Sequence, residues 1–162
     1  MATTTATITL SSSDIMDSPI SISNTSTLYT AGTNTGITET TGLGRKKFAS
    51  NSNIVLLDGG LTSGIAADVT ADKSAKVYLK NMNDRGDGTK YVNILLAAVE
   101  IGRLYAGDWL FMPWDNDLTD TESATDPSGN DSSIEIQAYT HEAVIEYALF
   151  HNGETLLTSA DS

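Results

Sequence analysis

Residues 75–114 read AKVYLKNMNDRGDGTKYVNILLAAVEIGRLYAGDWLFMPW and decide the fold class, because they place large apolar side chains between short Gly/Asp turns. Residues at the start of this stretch alternate between two faces of a predicted strand. Val77 and Leu79 share one face, and Tyr78 and Lys80 share the other. The sequence NDRGDG at residues 83–88 predicts a turn, because Asn, Asp and Gly tolerate positive φ. This half of the stretch therefore predicts strands that pack one face against a core.

The second half of the stretch predicts two further strands. Tyr91–Ile101 is predicted as one long strand, although Ile94–Val99 taken alone also fits a helical turn. A turn at Gly107-Asp108 then leads into a strand at Trp109–Met112. Pro113 is predicted to end this strand at an edge or corner of the sheet, because proline has no N–H to donate to a neighbouring strand.

The same period-2 pattern recurs outside this stretch. It predicts short strands at Thr3–Leu10, Ile20–Ser23, Lys47–Ala49, Ile54–Leu57, Ile134–Tyr139 and Val144–Phe150. In the last two strands we expect Glu135, Gln137 and Glu146 to face solvent. Short strands in this number, without an amphipathic helix, indicate an all-β fold, an antiparallel β-sandwich or jelly-roll-like domain.

We divide the chain into an extended Thr/Ser-rich N-terminal arm at residues 1–44, a β-sandwich domain at 45–151 and a frayed C-terminal tail at 152–162. The arm is poor in apolar side chains. Burying each of its few large ones stabilises it by about 2 kcal/mol at best, whereas ordering its backbone costs far more. We therefore expect the arm to lie on the rest of the domain, a sister subunit or another protein.

Two groups of residues are predicted to contact a partner. The first is the apolar set of the arm and the second is a basic cluster at the start of the sandwich; together they are Ile8, Leu10, Ile20, Ile22, Arg45, Lys46 and Lys47. Three adjacent cations also have a simpler interpretation, a strand end held by salt bridges.

Charge is distributed unevenly along the chain. The net charge of −12 resides in residues 82–162, which hold fifteen acidic residues against three basic ones. Phosphate backbones are bound by clustered cations, so this half disfavours DNA or RNA as a partner. The opening residues lack the basic and apolar regions of a signal peptide, so we expect none, and no apolar run approaches the roughly 20 residues that cross a bilayer. We therefore expect no nucleic-acid or membrane partner.

The sequence contains no recognisable catalytic constellation or cofactor motif, so we expect a protein that is not an enzyme and binds no cofactor. His141 and His151 lack the spacing of zinc ligands and are predicted to be surface residues. One metal candidate exists. Asp115, Asp117 and Asp120 supply oxygen ligands of the kind that Ca²⁺ prefers, and the alternative is a solvated acidic loop.

Aromatic residues indicate a second class of function. Trp109, Trp114 and Tyr105 could form a face on which a sugar stacks, as in a carbohydrate-binding module. Aromatic side chains along a strand equally fit packing in the core and at a sheet edge. Both interpretations stay open at the level of sequence.

Three features together resemble the small virion structural proteins of tailed bacteriophages, particularly those of marine and cyanobacterial phages. They are the opening MATTTATITLSSSDI, the pair VYLKN and KYVNILL, and the corner IGRLYAGDWLFMPW ahead of IEIQAYT and AVIEYAL. The likeness covers about residues 1–20 and 75–150. It implies a β-rich protein, without catalytic residues, that is attached in many copies to the capsid or tail.

From this resemblance we expect a capsid decoration (cement) protein, with a tail or head–tail connector component as the alternative. Its expected partners are the major capsid protein or other virion proteins, and further copies of itself in a homo-oligomer. It would be made in the host cytoplasm and reside on the capsid surface of the virion. An arm that orders on assembly is consistent with such a subunit.

Overall fold

The computed structural model describes residues 4–13, 19–29, 34–37, 39–57, 75–86, 90–114 and 133–151. Within these ranges the chain is all-β and its ladders are antiparallel, which confirms the predicted fold class. The strands are β1 Thr5–Ser12, β2 Ile20–Thr27, β3 Glu39–Thr40, β4 Gly44–Phe48, β5 Ser52–Leu57, β6 Lys76–Asn81, β7 Tyr91–Leu96, β8 Val99–Tyr105, β9 Trp109–Pro113, β10 Ile134–Ala138 and β11 Ala143–His151.

Two sheets form the sandwich and a separate hairpin precedes it. Sheet I has the strand order β5-β10-β7-β8, and sheet II has the order β3-β11-β6-β9, with β4 also paired to β11. β3 and the first residue of β4 come from the segment assigned to the arm, and both pair with β11. The division of the chain at residue 44 stays a prediction.

The core lies between the two sheets because one face of each is apolar. Its buried members come from both sheets and include Phe48, Leu56, Val77, Leu79, Val92, Ile94, Ile134, Ile136, Ile145 and Leu149. In β6 the predicted alternation is confirmed, since Val77 and Leu79 are fully buried while Tyr78 and Lys80 are partly exposed on the other face. Pro113 lies on β9, an edge strand, as predicted.

The prediction of one long strand at Tyr91–Ile101 is wrong. The chain turns at Ala97-Ala98, and β7 and β8 pair as an antiparallel hairpin. Both alanines have positive φ, 50° and 63°, a conformation that turns of this kind usually assign to Gly or Asn. Their backbone N–H groups donate to the Ser133 carbonyl and the Glu135 carboxylate. The turn is therefore held by β10, and its two residues carry no turn signal.

Three expectations about polar side chains are also wrong. Glu135 and Glu146 are only 6% and 7% exposed, and His151 is fully buried. Glu135 accepts hydrogen bonds from Asn53, Ser133 and the Ala98 N–H. Glu146 accepts from Arg45 at 2.8 Å. A carboxylate that finds donors on neighbouring strands can be buried at a strand position that alternation assigns to solvent.

Replacing Ala98 by glycine should stabilise the protein by about 0.5–1 kcal/mol, because glycine adopts positive φ without the steric cost of a Cβ. The measurement is the midpoint of urea unfolding. Ala49 is the matched control, since it is exposed and lies in a turn region but is not among the positive-φ residues. Ala49→Gly should be neutral or destabilising. Equal effects of the two variants would contradict the turn assignment.

Candidate interaction surface

The N-terminal hairpin carries four of the exposed large apolar side chains of the described chain. β1 and β2 pair along their whole length, with Thr5 opposite Thr27 and Ser12 opposite Ile20. Within the ladder Leu10 lies directly opposite Ile22. The structure therefore brings together the two halves of the apolar set that the sequence predicted, which are ten or more residues apart in the chain.

The two faces of the hairpin differ sharply in chemistry. Side chains alternate between the faces of a strand, so one face carries all the apolar residues of the two strands, together with three polar ones: Ala6, Ile8, Leu10, Ile20 and Ile22, with Ser12, Asn24 and Ser26. The other face consists only of hydroxyl residues: Thr5, Thr7, Thr9, Ser11, Ser21, Ser23, Thr25 and Thr27. On that face the hydroxyl oxygens of Thr7 and Thr25 are 3.0 Å apart, and those of Thr9 and Ser23 are 3.4 Å apart.

The apolar face is open to solvent. Ile8, Leu10, Ile20 and Ile22 are 36%, 53%, 44% and 54% exposed. Among the described residues no strand other than its partner pairs with β1 or β2. A lone two-stranded hairpin is marginally stable in water. Neither β1 nor β2 contains a charged residue that would prevent another strand from pairing with its free edge. These properties make the hairpin the candidate interaction surface of the described chain.

The base of the hairpin is tied to Ile37, which lies two residues before β3. The Leu28 N–H donates to the Thr4 carbonyl and the Ile37 N–H donates to the Leu28 carbonyl, both at 2.9 Å. The Thr4 hydroxyl also donates to the Ile37 carbonyl, and Leu28 and Ile37 are buried. The hairpin is thus anchored at its open end, while its paired strands extend over about 26 Å at about 3.3 Å per residue.

A cavity of about 270 Å³ separates the hairpin base from the outer face of sheet II. Its floor is aromatic, and the side chains that sheet II contributes are Tyr78, Trp109, Phe111 and Phe150. Phe111 and Phe150 meet edge to face, with their ring centroids 6.2 Å apart. Burial raises the pKa of the Tyr78 hydroxyl, and the adjacent Glu146 carboxylate raises it further, so this hydroxyl remains a donor.

The basic cluster lies on β4 and its charges are largely paired within the chain. Arg45 forms an ion pair of 2.7 Å with Glu146, and Lys47 forms one of 2.6 Å with Glu142. The Lys46 ammonium lies 5.8 Å from the centroid of the Phe48 ring. The ion pairs of Arg45 and Lys47 support the interpretation of the cluster as a salt-bridged strand end. Their predicted contact with a partner stays a prediction.

The sugar-stacking face predicted from Trp109, Trp114 and Tyr105 is not assembled. Trp114 is only 2% exposed and belongs to the core. Trp109 lies on sheet II and Tyr105 on sheet I, so the two exposed residues lie on different sheets. The prediction failed because one-dimensional spacing does not say which sheet each aromatic residue joins.

Two other predictions concern metal and membrane. Asp115, Asp117 and Asp120 lie outside the described residues, so the calcium site stays a prediction. Within the described ranges there is no group of three or more His, Cys, Asp or Glu residues arranged to hold a metal ion. No helix in the part of the chain that the structure describes is long and apolar enough to cross a membrane.

Comparisons with known proteins do not assign the chain to a family. No protein-family model matches it, and no curated protein matches it with a significant score.

Proposed function

We propose that the chain is a non-enzymatic virion structural protein, a capsid decoration (cement) protein that binds the assembled phage head through its N-terminal hairpin. The observation that carries this proposal is the uncharged hairpin with four large, solvent-exposed apolar side chains on one face. The assembly is proposed to be a phage particle because the sequence resembles small virion structural proteins of tailed bacteriophages. The major capsid protein, or another virion protein, is the proposed partner.

The energetics favour attachment through the hairpin. Covering Ile8, Leu10, Ile20 and Ile22 completely would contribute on the order of 1 kcal/mol for each side chain beyond its present burial. A partner would also share the cost of ordering two strands that have no sheet behind them. Contact with the shell therefore stabilises both the complex and the hairpin itself.

The distribution of charge also supports attachment through the hairpin. The net charge of −12 arises in residues 82–162, whereas β1 and β2 carry no charged residue. Like charges keep free subunits apart in solution, and the hairpin is the part of the chain that can approach a partner without that repulsion. We expect the acidic half to face outward and the subunits to associate as a homo-oligomer on the shell.

The test replaces Ile8, Leu10, Ile20 and Ile22 together by threonine. Threonine is β-branched and suits a strand, so the hairpin keeps its local preference and loses only the apolar surface. We expect occupancy on phage heads assembled without the chain to fall by at least about tenfold. Occupancy is measured by quantitative electrophoresis of washed particles and by electron microscopy.

The matched control makes the same type of change elsewhere. Val99 and Ile101 are 65% and 48% exposed on β8, far from the hairpin in the topology. Val99→Thr with Ile101→Thr should leave occupancy unchanged. Full occupancy of the hairpin variant, with an unaltered circular dichroism spectrum, would overturn the proposed attachment.

The alternative is a tail or head–tail connector component on the same fold. Labelled protein bound at one site near the tail, with none over the shell, would favour this alternative. Both versions use the hairpin as the contact, so the threonine variant should lose binding in either case.

A further inference from the structure

The cavity between the hairpin base and sheet II is enclosed by two parts of the fold that are held separately. β1 forms one wall, to which Ala6 and Ile8 contribute, and sheet II forms the floor. The hairpin base is closed by the hydrogen bond from the Leu28 N–H to the Thr4 carbonyl. The floor is fixed by the ladders that β6 forms with β9 and β11. Neither side needs the space between them to be filled, so the cavity of about 270 Å³ is compatible with a bound molecule.

The floor of the cavity is aromatic and incompletely covered. Tyr78 on β6 lies opposite Phe111 on β9, and Phe150 on β11 meets Phe111 at an interplanar angle of 67°. These three side chains are half-buried. Trp109 also lines the cavity and is 50% exposed. Ring surface therefore remains in contact with water between the hairpin and the sheet, and covering it with an apolar group is favourable.

Two hydroxyl groups of the cavity residues have already donated their protons. The Tyr78 hydroxyl donates to the Glu146 carboxylate in a long hydrogen bond of 3.5 Å. The Thr4 hydroxyl donates to the Ile37 carbonyl at 2.9 Å. Each oxygen keeps lone pairs that can accept a hydrogen bond. These hydroxyls therefore suit an occupant that brings an N–H or O–H donor of its own.

Charges beside the floor restrict the occupant further. Lys76 and Lys80 each lie two positions from Tyr78 on β6, so their side chains share its face. Two ammonium groups there disfavour a cationic occupant, because like charges repel. The Glu146 carboxylate beside the Tyr78 hydroxyl disfavours an anion at that end of the cavity for the same reason. The remaining chemistry is that of a neutral group.

We propose that this cavity binds a neutral aromatic group with one hydrogen-bond donor, an indole or a phenol ring. The ring packs on Trp109 and Phe111, and its N–H or O–H donates to the Tyr78 hydroxyl oxygen. An apolar cavity of about 150 Å³ holds benzene, so a cavity of about 270 Å³ accommodates the larger indole ring. The same group occurs in free small molecules and in the tryptophan and tyrosine side chains of a partner protein.

The experiment titrates indole into the full-length protein by calorimetry. We expect a dissociation constant on the order of 0.1–1 mM, which suits a ligand of this size. N-methylindole lacks the N–H and should bind about three- to tenfold more weakly. Tryptamine, which carries an ammonium group, should also bind more weakly than indole.

The two tryptophans of the chain report the location of the ligand. In an NMR spectrum, indole should shift the side-chain N–H signal of Trp109, which lines the cavity. It should leave the signal of Trp114 in place, because that side chain belongs to the core. The variant Trp109→Phe assigns the two signals.

Three variants test the walls and the acceptor. Ala6→Phe fills the cavity from β1 and should weaken indole binding by at least about tenfold. Ser11→Phe is the matched control, because it adds the same ring to the same strand at an exposed position that does not line the cavity. It should bind as wild type. Tyr78→Phe removes the acceptor and should abolish the preference for indole over N-methylindole.

Competition on phage heads distinguishes the two sources of the aromatic group, and this arm rests on the proposed function. Occupancy that falls in the presence of saturating indole would identify the group as a side chain of the shell partner. Unchanged occupancy would identify it as a free small molecule. Binding of indole to the purified protein needs no shell, so failure of this site and failure of shell attachment are separately observable.

Four results would overturn the inference. They are the absence of both heat and a Trp109 shift on addition of indole, equal affinities of Ala6→Phe and Ser11→Phe, a retained preference for indole in Tyr78→Phe, and tighter binding of tryptamine than of indole. Thermal unfolding shows whether each variant is folded. If Ala6→Phe does not fold, Trp109→Ala takes its place and should weaken indole binding by about tenfold.

Discussion

Replacing Asn81 by alanine should lower the free energy of unfolding by about 3 kcal/mol or more, the largest effect we expect from a single polar substitution. Asn81 is fully buried at the end of β6. Its amide donates to the carbonyls of Leu104 and Lys90 at 3.0 and 3.3 Å, and its Oδ1 accepts from the Asn83 N–H. Alanine would leave one buried partner, the Leu104 carbonyl, and two part-buried partners without these hydrogen bonds, and each buried unpaired group costs about 1–3 kcal/mol.

The backbone of Asn81 adds to this effect. Its N–H donates to the Asp108 carbonyl, and its carbonyl accepts from the Gly107 N–H, both at 2.9 Å. The residue thus connects β6 to the turn between β8 and β9 and, through Lys90, to the chain just before β7. The loss of its side chain would loosen the join between the two sheets at one end of the sandwich.

Urea unfolding of Asn81→Ala, Asn81→Asp and Asn24→Ala tests this role. Aspartate keeps the acceptor and loses both donations, so Asn81→Asp should be destabilised at least as strongly as the alanine variant at neutral pH. Asn24 is exposed on β2, and its replacement should change stability by less than about 0.5 kcal/mol. A cost below about 1 kcal/mol for Asn81→Ala would contradict the assignment.

Replacing Glu135 by alanine should cost about 2–4 kcal/mol, because its carboxylate holds three donors that have no substitute acceptor in the described contacts. The donors are the Asn53 amide at 2.8 Å, the Ala98 N–H at 3.2 Å and the Ser133 hydroxyl at 3.3 Å. The Ala98 contact is the most consequential, since it helps to hold a turn whose residues do not favour its conformation.

Two further variants isolate the cause. Glu135→Gln keeps an acceptor oxygen and should recover a large part of the lost stability, whereas alanine cannot. Glu142→Ala is the matched control, because the Glu142–Lys47 ion pair has both side chains more than 60% exposed and exposed pairs contribute about 0–1 kcal/mol. Thermal and urea unfolding would both show the difference. Equal losses in Glu135→Ala and Glu142→Ala would refute the structural role of the buried carboxylate.

Much of the fold could be predicted from local patterns. Alternation located β6 and its buried face, and the short strands at Ile54–Leu57, Ile134–Tyr139 and Val144–Phe150 were found to within two residues at the ends. These signals are strong because a residue's neighbours two positions away share its face. The apolar set of the hairpin was predictable for the same reason.

Other features depend on residues far apart in the chain. The Ala97-Ala98 turn has no Gly or Asn, and it is held by Ser133 and Glu135 more than thirty positions later. The ring contacts of Tyr91 with Tyr105 and Tyr139 could not be predicted, because the three residues are far apart in the chain and meet only through the strand order β8-β7-β10.

The sequence by itself determined that this protein is a β-sandwich with a hydroxyl-rich, weakly apolar segment before it, since strand periodicity and composition are local properties. Only the tertiary structure decided which side chains meet. Hydrogen bonds between strands bury Glu135 and Glu146, place Trp114 in the core and gather the tyrosines on one face, because pairing partners and register are set by contacts that span most of the chain.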